Sequence, residues 1–89
     1  MPKVAEVWAV SARLKAPSGK YVETKNAWAK TKEQAMRKAK EFLSFFKRRG
    51  YRVVEEVEDK EDGSITWYLE REEGGKTLQA MVYVIGVPF

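Results

Sequence analysis

Cysteine and histidine are both absent from this 89-residue chain. Without cysteine there is no disulfide framework, no thiolate zinc site and no thiol nucleophile. Without histidine, acid–base chemistry near neutral pH would fall on carboxylates, lysine or tyrosine. The serines Ser11, Ser18, Ser44 and Ser64 stand in no nucleophile motif. These gaps favour a protein that binds over one that catalyses, and nothing in the sequence asks for a cofactor. No stretch approaches the ~18 consecutive apolar residues of a membrane span. Met1-Pro2-Lys3 leads into an apolar run broken by Glu6, unlike a signal peptide. A soluble, cytoplasmic protein is the expectation. Side-chain amides are scarce too, with only Asn26, Gln34 and Gln79, whereas Lys and Glu number eleven each. That bias is reported for proteins of hot-growing organisms and points to a thermophilic cell, archaeal by expectation, or its virus.

What the chain does have is charge, unevenly spread. The net of +4 conceals two halves of opposite sign. Residues 1–52 carry 14 Lys/Arg against 4 Asp/Glu, and residues 53–89 carry 3 against 9. A split of this kind in one small domain suggests a surface built to meet a charged partner, most often nucleic acid. With 44% hydrophobic residues and 12% aromatics, the chain can outweigh its ordering entropy and fold as a single domain over residues 1–89.

Residues 4–14 alternate with period two, placing Trp8, Val10, Ala12 and Leu14 on one face of a strand. Ala16-Pro17-Ser18-Gly19-Lys20 reads as a hairpin loop, and residues 21–29 as the return strand. Thr31-Lys32-Glu33-Gln34 matches a capping box and predicts a helix N-terminus, with a second bond from the Gln34 side chain back to the Thr31 N–H. At 100° per residue Ala35, Ala39, Phe42 and Phe46 align, flanked by Met36 and Leu43, and a basic face lies opposite. Lys47, Arg48 and Arg49 complement the helix dipole and Gly50 suits a left-handed cap, so the helix should end near Arg49. Strands follow over 51–59, 64–72 and 76–87, with Asp62-Gly63 and Gly74-Gly75 as tight hairpin signals. The expected fold is α+β, order β-β-α-β-β-β, one amphipathic helix packed on a curved, mostly antiparallel five-stranded sheet.

One helix cannot cover five strands. Strict alternation gives a helix-facing set of Trp8, Val10, Leu14, Val22, Trp28, Val53, Val57, Ile65, Trp67, Leu69, Leu78, Val82 and Val84. The opposite face receives Val7, Arg13, Tyr21, Lys25, Arg52, Val54, Tyr68, Met81, Tyr83 and Ile85. That face is too apolar to be meant only for water.

Two surfaces are candidate sites. The basic one comprises Arg13, Lys15, Lys20, Lys25 and Lys30 from the first hairpin, Lys32, Arg37, Lys40, Lys47, Arg48 and Arg49 from the helix, and Arg52 beyond it. Such a patch can track phosphates of DNA or RNA by releasing condensed counterions, without reading sequence. Alternatively it is a solvated face, partly paired through Arg37 and Glu41 at i,i+4. The second surface mixes Tyr21, Tyr68, Met81, Tyr83 and Ile85 with nearby cations, as base-stacking sheets do and as dimer or inhibitor interfaces also do. The carboxylates from Glu55 to Asp62 and Glu70 to Glu73 match no calcium loop and suit the protection of strand edges. The element order and the Gln34-Ala35-x-x-Lys38-Ala39 stretch resemble the archaeal MC1 chromatin proteins, small basic monomers that bend DNA. The resemblance implies a DNA partner and assigns no residue. This chain departs from that family in its acidic C-terminal half. The leading expectation is a non-catalytic, largely nonspecific nucleic-acid binder; the alternative is a homodimer or small inhibitor.

Overall fold

The computed structural model describes residues 7–88, so the readings of Met1-Pro2-Lys3, of Glu6 and of the first strand over residues 4–6 lie outside the described residues. The elements are β1 (Val7–Lys15), β2 (Tyr21–Ala29), α1 (Lys32–Lys47), β3 (Arg52–Glu58), β4 (Ile65–Glu73) and β5 (Lys76–Val87). All strand pairings are antiparallel, in the order β2-β1-β5-β4-β3, and the sheet does not close.

Alternation gives β1, β4 and β5 one buried face. Val10, Ala12, Ile65, Trp67, Leu69, Ala80, Val82 and Val84 bury there against Ala35, Ala39, Phe42, Leu43 and Phe46 of α1. The helix begins as its sequence dictates: the Thr31 hydroxyl accepts from the Gln34 N–H at 3.2 Å. The reciprocal bond differs from a standard box, because the Gln34 carbonyl oxygen accepts from the N–H of Lys30, not Thr31, at 3.3 Å. The last helical residue is Lys47, two short of the expected end, and Gly50 at φ +90° lets the Tyr51 N–H return to the Phe46 carbonyl. Gly74 and Gly75, at φ +57° and +80°, form the two-residue turn between β4 and β5. The β3–β4 connection is wider than a tight turn, because bonds between Asp59 and Ser64 and between Gly63 and Asp59 close a longer loop.

Strict alternation fails in both outer strands, for the same reason. In β2 the register skips Thr24 between Lys25, opposite Ala12, and Glu23, opposite Arg13. In β3 it skips Val54 between Val53 and Glu55. One extra residue inverts the phase of everything beyond it. Lys25 therefore moves to the helix side of the sheet, while Trp28, opposite Ala9, and Val57, opposite Thr66, move to the free side. Trp28 is 64% exposed and Val57 47%. Val22 and Val53 keep the helix-side phase yet remain exposed; for Val53 the reason is that α1 packs chiefly over β1, β2 and β5 and not over β3. The bulges also twist both sheet edges away from regular pairing, a known defence against edge-to-edge association.

Candidate nucleic-acid interface

The free sheet face is organised in cross-strand rows. Trp28, Ala9 and Ile85 form the first; Asn26, Ser11, Tyr83, Thr66 and Val57 the second; Glu23, Arg13, Met81, Tyr68 and Glu55 the third. A fourth holds Tyr21, Lys15, Gln79, Glu70 and Arg52. The first row is apolar and the last two are polar and networked. Arg13 donates to the Tyr83 hydroxyl at 2.9 Å and stacks 5.1 Å from that ring, while Ser11 donates to Glu23 at 3.0 Å. Lys15 donates to Gln79 at 2.9 Å, and Gln79 in turn donates to Glu70 at 3.4 Å. Burial pushes the Tyr21 phenol above its usual pKa, reinforced by the nearby Tyr68 and Glu70. Arg13 and Lys15 are thus committed to this face, and the face's tyrosines are half-buried among them rather than standing free as stacking platforms.

The helix presents a different kind of surface. Arg37, Glu41, Ser44 and Arg48 lie along its outer crest, and Lys40 and Lys47 flank a groove shared with Met36, Leu43, Glu56 and Trp67. Among the described residues two ion pairs form, Lys38 with Glu41 and Arg71 with Glu73. The pair expected between Arg37 and Glu41 is replaced by Lys38–Glu41 at i,i+3, with 3.2 Å between Nζ and Oε2. Arg37, Lys40, Lys47 and Arg48 are all exposed and have no carboxylate within 4 Å among the described residues. Lys20 at the first hairpin tip and Lys30 before the helix are likewise exposed, and Lys32 reaches over Trp8, 5.7 Å from its ring.

At the C-terminal end of α1 the Phe45 ring holds two cations. Lys25 Nζ lies 3.9 Å and Arg49 Cζ 3.5 Å from its centroid. Arg49 also donates to the Phe45 carbonyl at 3.1 Å. Sequence periodicity did not single out Phe45; its signal was an aromatic residue off the buried stripe, four residues before an arginine. Arg52, at the start of β3, falls on the free face and is separated from this cluster by the sheet.

The acidic half makes local contacts. Glu56 accepts the Trp67 indole N–H at 2.6 Å, a bond made possible by the β3 bulge that aims Glu56 at the helix side. Asp59 and Asp62 cap their own loop by accepting from the Glu61 and Ser64 N–H groups, and the latter bond holds Asp62 below the usual carboxylate pKa. Among the described residues no three potential ligands converge as a metal site, and no helix is long and apolar enough to cross a membrane. No known protein family, curated protein or solved structure matches the chain.

Proposed function

We propose that this protein binds nucleic acid without catalysis and with little sequence preference, laying the outer face of α1 and the adjoining first hairpin against backbone phosphates. The observation that carries this reading is the unpaired state, among the described residues, of Arg37, Lys40, Lys47 and Arg48 on a helix face where Glu33 and Glu41 are outnumbered by cations and Glu41 is taken by Lys38. From Arg37 to Arg48 the helix advances about 16 Å, enough to meet several phosphates along a groove wall. No amide cluster supports base readout, so affinity should be set by phosphate contacts. On labelled single- and double-stranded DNA and RNA, apparent affinity should fall steeply as salt rises. Joint replacement of Arg37, Lys40, Lys47 and Arg48 by Glu should abolish binding while circular dichroism stays unchanged. Retained binding by that variant overturns the assignment.

A second reading is favoured by one observation, the outward Trp28–Ala9–Ile85 row with Trp28 64% and Ile85 38% exposed. An apolar row at one end of an open sheet suits a homodimer or a protein target. Sedimentation would then show a dimer at micromolar concentration that Ile85→Glu dissociates. A monomer rules out the homodimer.

A further inference from the structure

We infer that Lys25, Phe45 and Arg49 form a preorganised clamp for one backbone phosphate, an inference that rests on the nucleic-acid reading above. Six cation–ring contacts occur among the described residues, but Phe45 is the ring that receives two. Because both cations contact one ring, their charges lie within about 8 Å of each other, one Debye length at physiological salt. Like charges so placed repel, and no carboxylate pairs with either among the described residues. The ring offsets part of that repulsion through its quadrupole. An anion beside the ring, within reach of both cations, would offset the rest.

Local structure supports the same assignment. Lys25 reaches Phe45 only because the bulge at Thr24 turns it from the free face of β2 to the helix side, and bulges commonly re-aim a side chain at a functional position. The Thr24 hydroxyl fixes the bulge by donating to the Ala12 carbonyl at 2.9 Å. Arg49 is held at its other end, since the Arg49 carbonyl accepts from Arg71 at 2.8 Å. One of its guanidinium nitrogens donates to the Phe45 carbonyl, and its other guanidinium N–H groups make no hydrogen bond among the described residues, which leaves them available to a phosphate. Lys25 makes no hydrogen bond with its side chain among the described residues, so its three donors are free. Both side chains therefore lose less conformational freedom on binding than free surface cations would.

The test is the salt dependence of binding to a short duplex and to a single strand, compared between the unaltered protein, Lys25→Gln, Arg49→Gln, the double variant and Phe45→Leu. Loss of one phosphate contact should reduce the slope of log affinity against log salt by about 0.9 on duplex or about 0.7 on single strand in the double variant. Phe45→Leu, which keeps both charges but releases them, should weaken binding severalfold with little change in slope. If the unaltered protein binds and the double variant matches it in affinity and slope, the clamp is overturned while the nucleic-acid reading stands. If the unaltered protein binds neither nucleic acid, that reading fails, and amide NMR with inorganic pyrophosphate decides the clamp alone. Shifts confined to residues around Lys25 and Arg49 keep the paired-cation anion site, and none overturns it.

Discussion

At the residue scale, the free sheet face shows how a surface of aromatic and charged groups is kept in order. Arg13 is fixed by the Tyr83 hydroxyl and Lys15 by the Gln79 side chain, so each is oriented by a neutral neighbour on this face. Tyr21 lies at the edge of this network, where burial and the neighbours Tyr68 and Glu70 oppose its ionisation. Its folded pKa exceeds the unfolded value of about 10. The associated stability is therefore fully present below pH ~10 and is lost as pH rises through the folded value. Ultraviolet titration should show one tyrosine ionising late, and Tyr21→Phe should remove that late component. The variant should also lose less stability than the unaltered protein between pH 9 and pH 11 in denaturant titrations. Period-two patterning had placed Tyr21 on the free face correctly; the network around it depends on cross-strand register, which composition does not encode.

At the element scale, α1 was legible to within two residues at its C-terminus and one bond of its capping box, because its signals are local. The cap at Thr31, the apolar stripe and Gly50 all act within a few residues of themselves. Thr31→Ala should cost about 1 kcal/mol by leaving the Gln34 N–H without its acceptor, measured as a lower denaturant midpoint at unchanged slope. Thr31→Ser should restore most of the loss. The outer strands were legible in extent but not in phase. β2 was expected over 21–29 and occupies Tyr21–Ala29, yet Lys25 and Trp28 face the sides opposite to those alternation assigned. The sequence around Thr24 carries no glycine or proline to mark a bulge. In the folded sheet the bulge is held by the Thr24 hydroxyl, which donates across the strand pair to the Ala12 carbonyl.

At the scale of the whole molecule, the charge split becomes a spatial one. The basic crest of α1 and the acidic β3 edge belong to different elements of a molecule measuring 49 × 22 × 19 Å, meeting at the groove where Glu56 lies near Lys40 and Lys47, and β3 is exposed along its full length. Few of these charges are spent on each other: two isolated ion pairs form among the described residues, in place of the networks that Lys/Glu-rich composition can build. The field of the acidic edge should steer a polyanion toward the helix side. Joint replacement of Glu55, Glu58 and Glu61 by Gln should raise the association rate for DNA severalfold at low salt. The difference should fade near physiological salt, where the Debye length is ~8 Å, and stability should change by less than about 0.5 kcal/mol per site. An unchanged rate at low salt would remove the steering role of that edge.

The sequence by itself determined the order of elements, the helix and its caps, the central strands and the sign of charge in each half. Each of these follows from short-range periodicity, turn chemistry or simple counting. Tertiary structure alone decided which face each side chain of the outer strands presents, because one unpaired residue in each strand inverts the phase and is specified by pairing across the sheet. It also decided which cations are consumed by neighbours and which stay free. Arg13 and Lys15 are bound within their own sheet face, Lys25 and Arg49 meet on one ring from segments more than twenty residues apart, and Arg37, Lys40, Lys47 and Arg48 of α1 face water with no carboxylate paired to them among the described residues. Those partnerships depend on distances that only the packed chain defines.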